Sequence, residues 1–173
     1  MTLKPLALGA LALAIAGSVS LAAGKGILFP DWSPPSKGTF DAPAGEMGKM
    51  STAEQPWSQT TLTSSIMGKP LKGKPTTMVG EIIDYSCYLQ VGKHGDKHRD
   101  CGQKCARNGQ PVGLLTKDGT IYLLMDEEHD QRRDGLTAFR AAAIEHMAHV
   151  VTVHGTMSAV EGQKAIYVQG FMK

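Results

Sequence analysis

A chain of 173 residues with 42% hydrophobic side chains can bury one core of ordinary size. Its formal charge of +2, from 18 Lys and Arg against 16 Asp and Glu, offers no field able to gather a nucleic-acid backbone or an anionic membrane surface. One domain with extensions is expected, and nucleic acid is argued against as a partner.

Residues 1–24 read as a targeting segment. Lys4 supplies a positive charge, "LALGALALAIA" is an apolar run, and Ser20-Leu21-Ala22 places small residues where a signal peptidase reads them. The stretch from Pro5 to Gly24 is uncharged over about 20 residues, enough for a retained signal anchor. A cleaved signal peptide and an inner-membrane anchor through residues 5–24 are both open. Either one places the rest of the chain outside the cytoplasm, which in a bacterium means the periplasm.

Residues 25–76 form a Pro/Gly-rich extended arm. Pro30, Pro34, Pro35, Pro43, Pro56, Pro70 and Pro75 lie here, and neither helical nor strand periodicity persists. Both tryptophans, Trp32 and Trp57, sit in this arm. Each either folds back onto the domain or anchors a protein partner, since large aromatics carry interface energy out of proportion to their number. On the second reading residues 26–76 dock the chain onto a membrane complex as an accessory subunit.

Regular patterning starts at residue 77 and defines a domain over 77–173. "TMVGEIIDYSCYL" has strand composition throughout, which places Cys87 at the end of a first strand. "PVGLLTKDGTIYLLM" is two apolar runs joined at Asp118-Gly119, a hairpin signal. Leu136, Phe139, Ala143 and Met147 then recur along one face of a helix. "HVVTVHGTMSAV" and "QKAIYVQGFM" alternate as strands around a turn at Glu161-Gly162. Five strands with one helix between the third and fourth, and a short Cys/His helical insertion after the first, resemble the OB-fold, a mainly β, small Greek-key barrel. Such barrels bind nucleic acids or sugars, and some exported ones handle haem or metal, so the fold alone names no function.

The insertion "HGDKHRDCGQKCARNG" carries the chemistry. A helix over 96–107 would end at Asn108-Gly109, with Pro111 preventing continuation. His98, Cys101 and Cys105 would then fall within about 60° around its axis, with His94 joining them only if the helix extends past Gly95. With Cys87 the set is Cys₃His, a closed tetrahedral arrangement for one zinc ion, and its soft donors also suit copper. The rival is a disulfide from Cys87 to Cys101 or Cys105, the default in an oxidising compartment, with one thiol left over. Thiol redox exchange is a third reading.

"GEIIDYSCYL" followed by "HRDCGQKCARNGQPVGLL" resembles a small, uncharacterised family of exported bacterial proteins with a Cys/His motif on an OB-like domain. That resemblance spans roughly residues 78–172 and implies a motif rather than an activity.

Other chemistries are not supported. There is no C-x-x-C-H for covalent haem and no C-x-x-C in a βαβ context. A Cys/His nucleophile would lack an identifiable oxyanion device, so no catalytic residue is assigned and no enzyme is expected. His146, His149 and His154 read as structural. "DEEHDQRRD" reads as a solvated loop in which Asp126, Glu127 and His129 could hold a surface cation.

Overall fold

The computed structural model describes residues 32–128 and 135–171. The expected targeting segment, the start of the arm and His129 lie outside them. Among the described residues no helix is long and apolar enough to cross a membrane.

Five strands close into a barrel. They are β2 (Lys74–Asp84), β3 (Val112–Thr116), β4 (Ile121–Asp126), β5 (Val150–Val160) and β6 (Gln163–Val168). Their order is β5-β2-β3-β4-β6, and β6 returns to pair with β5. The β4–β6 pairing is parallel and the other barrel pairings are antiparallel. Helix α4 (Ala138–Glu145) lies between the third and fourth barrel strands, which gives the OB-like order read from the sequence.

Local chemistry fixes the connections. At the first hairpin only Gly119 takes positive φ, while the Asp118 carboxylate accepts the Thr120 N–H at 3.1 Å. Between β5 and β6, Glu161 and Gly162 are both left-handed (φ 48° and 83°), as a two-residue hairpin requires. The α4 helix starts on Thr137, whose side chain caps the Arg140 N–H.

Ile82, Leu114, Leu124, Val151, Val153, Ile166 and Val168 fill the barrel, joined by Phe139, Ala143 and Ile144 of α4 and by Met147. Full burial of such side chains contributes about 1.5–3 kcal/mol each.

The first strand differs from its expected extent in an informative way. It ends at Asp84, and Tyr85–Val91 is helix α2, so Cys87 lies in the first turn of a helix and not at a strand end. Tyr85, Tyr88, Leu89 and Val91 carry the strand-like composition past Asp84, although only Tyr88 of α2 is buried.

The described part of the arm lies on the barrel. Strand β1 (Glu46–Met47) pairs in parallel with β5, and Met47 enters the main core. Trp57 is only 6% exposed, meets Tyr167 edge to face at 5.2 Å and donates its Nε1–H to Leu71 O at 2.8 Å. The first helix among the described residues, α1 (Gln59–Ser64), follows it. Glu127, read from sequence as part of a solvated cation-binding loop, is instead fully buried, and its Oε1 accepts the Ser58 N–H at 2.9 Å. The carboxylate therefore anchors the arm to the barrel.

Trp57→Ala is expected to destabilise the isolated protein by about 3 kcal/mol or more, measured by urea unfolding, since it opens a large cavity. An unchanged midpoint would return Trp57 to the role of an anchor for a partner.

Past α4 the chain turns through His146–His149, with buried Ala148 in the left-handed region (φ 62°). The Nδ1 atoms of His146 and His149 lie 3.4 Å apart. Burial pushes both below the ordinary histidine range; Lys37 opposes their protonation further, Arg99 does so for His149, and Glu145 favours it. The folded state thus takes up protons less readily than the unfolded chain. Stability is at its plateau above the unfolded value of about 6.5 and falls as pH drops below it. His98 contributes with the same sign. Tm is expected to decline between pH 7 and 5, and His149→Gln should flatten that decline; a profile identical to wild type would remove this pair as its cause.

Candidate metal centre

The last residues of β2, Glu81 to Asp84, are buried without exception. Asp84 is both the strand's last residue and the N-cap of α2, with Oδ1 accepting the Cys87 N–H at 3.1 Å. The cap leaves Oδ2 pointing elsewhere and sets Cys87 one turn along, on the same end of the helix. Asp84 is 1% exposed, and its Oδ2 has no hydrogen-bond partner. An unsatisfied buried carboxylate oxygen costs enough to require an explanation.

His98 supplies the opposite wall. Helix α2 stops at Gly92 in a left-handed C-cap, and the chain returns to the barrel through His94 and Gly95. Glu81 holds that return: its Oε2 accepts from His94 Nδ1 at 3.1 Å and its Oε1 accepts the Gly95 N–H at 2.6 Å. Gly95 is in a conformation (φ 72°, ψ −172°) open to glycine, and a Cβ there would stand 2.7 Å from Pro34 O. From the arm, Pro34 O accepts the Asp96 N–H at 2.8 Å and Ser33 Oγ accepts the Lys97 N–H at 3.0 Å. A 3₁₀ turn over Asp96–His98 then delivers His98, which is 5% exposed and meets Trp32 edge to face at 6.5 Å. His98 Nε2 is buried, lacks a hydrogen-bond partner and sits 3.8 Å from Asp84 Oδ2.

Helix α3 (Arg99–Arg107) carries the remaining cysteines. Its small residues Gly102 and Ala106 face inward, with Gly102 close against Met147. Arg99 donates to Met147 O and Glu145 O, both at 3.1 Å, and Gln103 Nε2 donates to Ile144 O at 2.9 Å, so the helix is fixed to the end of α4. The expected stop at Asn108-Gly109 is present, with Gly109 at φ 91°.

The geometry brings together one donor atom each from Asp84, Cys87 and His98, all within 4.8 Å of one another. Among the described residues no other three His, Cys, Asp or Glu side chains converge this closely. Of the residues proposed from sequence, Cys87 and His98 belong to this triplet. Cys105 stands beside it, near enough to Asp84 and Cys87 to perturb and be perturbed by them. Cys101 is one turn earlier on the same helix and exposed. His94 is engaged by Glu81 at the side of the cavity, where Gly95 breaks the helix that would have carried it onto the cysteine face. The three cysteines are free thiols in this structure.

The electrostatics are compatible with a group that could hold a cation. Burial pushes His98 below the ordinary histidine range despite Asp84, so its imidazole is neutral at pH 7, the form that binds metal. Hydrogen bonding of the thiol to the Asp84 carboxylate holds Cys105 up to about 12, with burial and the carboxylate's charge adding to the effect. Burial raises Cys87 as well, followed by Asp84. A carboxylate between two thiols favours their protons in the metal-free state, and a divalent cation reverses that preference.

Comparison with family models, curated proteins and solved structures finds no match. The reading of the site therefore rests on its own geometry: a buried Asp/Cys/His group that could hold a metal ion.

Asp84 is the member that sequence reasoning missed. Its signal was present in "DYSC", where an Asp three residues before a Cys is the spacing of an N-cap and the residue whose N–H it accepts.

Proposed function

We propose that the chain is an exported, periplasmic, non-enzymatic OB-like protein that binds one zinc ion through Asp84, Cys87 and His98, with Cys105 completing a tetrahedral set. The observation that carries this reading is the pair of buried, partnerless atoms, Asp84 Oδ2 and His98 Nε2, 3.8 Å apart with Cys87 alongside. The separation is slightly longer than the edge of about 3.3–3.6 Å that a tetrahedron of oxygen and nitrogen ligands around zinc at about 2.0–2.2 Å would have, so a small inward shift would accommodate the ion.

The donor set favours zinc over copper. Thiolates and imidazole suit both, but an anionic oxygen at the centre of the group suits a divalent ion of borderline softness better than Cu(I). A nucleophilic reading fits less well. A Cys/His/Asp relay needs the carboxylate hydrogen-bonded to a ring nitrogen to orient the base, whereas Asp84 Oδ2 stands 3.8 Å from His98 Nε2 and makes no hydrogen bond to it. Export rests on the targeting segment and the Cys/His family resemblance of the sequence. The tie from β2 through α2 to the 94–98 return means that bound metal would clamp the insertion onto the barrel.

Native mass spectrometry of the protein purified without chelator, with elemental analysis, is the test. One zinc per chain with three thiols that titrate only after denaturation is expected. A metal-free mass lower by two hydrogens would replace the metal by a disulfide.

A further inference from the structure

The three thiols are not equivalent, and their gradation runs from inside to outside. Asp84 and His98 are buried, Cys87 and Cys105 are half-buried, and Cys101 is exposed. Cys101 lies one helical turn before Cys105, and residues four apart on a helix share a face. Along residues 93–107 the exposed side chains Lys93, Lys97, Lys104 and Arg107 outnumber the exposed Asp96 and Asp100. A structural clamp needs neither an exposed thiol above its closed ligand set nor a basic rim.

We propose that Cys101 is an exchange ligand, through which metal passes from an anionic metal–thiolate donor to the buried Asp84/Cys87/His98/Cys105 set. This deepens the metal reading above and rests on it. Metal–polythiolate centres carry net negative charge, so the basic rim would gather them while leaving a free metal cation unattracted.

The exchange balances without redox chemistry. Cys101–SH binds the metal as a donor thiolate leaves, and its proton goes to that thiolate, giving Cys101–S–M and a donor thiol. Cys87 and Cys105 then take the metal as the remaining donor thiolates leave; one of their two protons restores Cys101 as a thiol, the other goes to a departing donor thiolate, and solvent protonates the rest. No electron is transferred, and no oxidant or reductant is needed.

The experiment uses the full chain with two zinc sources, Zn²⁺ alone and a zinc-loaded four-cysteine peptide. The change in Trp32 fluorescence as His98 takes the metal serves as the readout, against which equilibrium stoichiometry is measured separately. Cys101→Ser is expected to keep one zinc per chain while transfer from the peptide slows about tenfold or more, because serine is not a thiolate ligand. Cys101→Ala, at the same exposed position, should behave alike and guards against an effect of the serine itself.

Lys97→Gln with Lys104→Gln should slow uptake from the peptide and spare uptake of Zn²⁺ alone, and added salt should mimic the pair in wild type. An unchanged transfer rate in both Cys101 variants would overturn the proposal. Loss of the stoichiometric zinc in them would also overturn it by making Cys101 a resident ligand. A wild-type protein that binds no zinc would instead remove the metal reading itself, so the two failures are told apart.

Discussion

Saturating zinc is expected to raise the Tm of the wild-type protein by roughly 10–20 °C, and Cys87→Ser should abolish nearly all of that rise. An ion that binds only the folded state stabilises it by RT ln(1 + [L]/Kd), about 4 kcal/mol at a thousandfold excess over Kd. A domain of this size converts each kcal/mol into about 2–8 °C. The folded-state preference follows from the structure, because Asp84, Cys87 and His98 come from a strand end, a helix turn and a 3₁₀ turn that only the fold brings within 4.8 Å. Cys87 is the sensitive position since it supplies the charged sulfur of the convergent triplet. Cys105→Ser should remove a smaller share, and Cys101→Ser little. Differential scanning calorimetry with and without zinc checks the series. A zinc-dependent rise that survives Cys87→Ser would sink the assignment, and serine variants that lower Tm equally with and without zinc would favour a disulfide.

The barrel was legible because its signals are local. Asp118-Gly119 and Glu161-Gly162 each mark a hairpin, and Phe139, Ala143 and Met147 share the buried side of the α4 region, while Leu136, read into the same face, precedes the helix and is exposed. The arm was not legible for the opposite reason. Its attachment depends on a two-residue strand, one methionine and one tryptophan that meet partners about a hundred residues away, and no period survives in so short a contact. Glu127 was misplaced by the same blindness, because a run of acidic residues looks solvated until the Ser58 N–H that it accepts comes into view. Within the site, the cysteine and histidine pattern identified α3 and His98, but the β-branched and aromatic composition on both sides of Asp84 hid the strand-to-helix change there. That change is what makes Asp84 a helix cap and, at the same time, a member of the group that could hold a metal ion.

Asp84→Asn is expected to stabilise the metal-free protein while weakening zinc binding by about 100-fold. Asparagine caps helices as well as aspartate does, so Oδ1 can go on accepting the Cys87 N–H and α2 keeps its start. What the substitution removes is a buried negative charge whose second oxygen has no partner, a penalty of about 1–3 kcal/mol or more for a charged group. The new amide hydrogen instead faces the lone pair of neutral His98 Nε2, which also lacks a partner. Metal-free Tm should therefore rise by several degrees as zinc affinity falls. Asp84→Ala provides the contrast, losing both the ligand and about 1 kcal/mol of cap. Opposite signs for stability and affinity in Asp84→Asn are the signature of a carboxylate retained for a cation. If metal-free Tm instead drops in both variants while zinc affinity is unmoved, Asp84 is a helix cap alone, and its unpartnered oxygen has no ion to answer to.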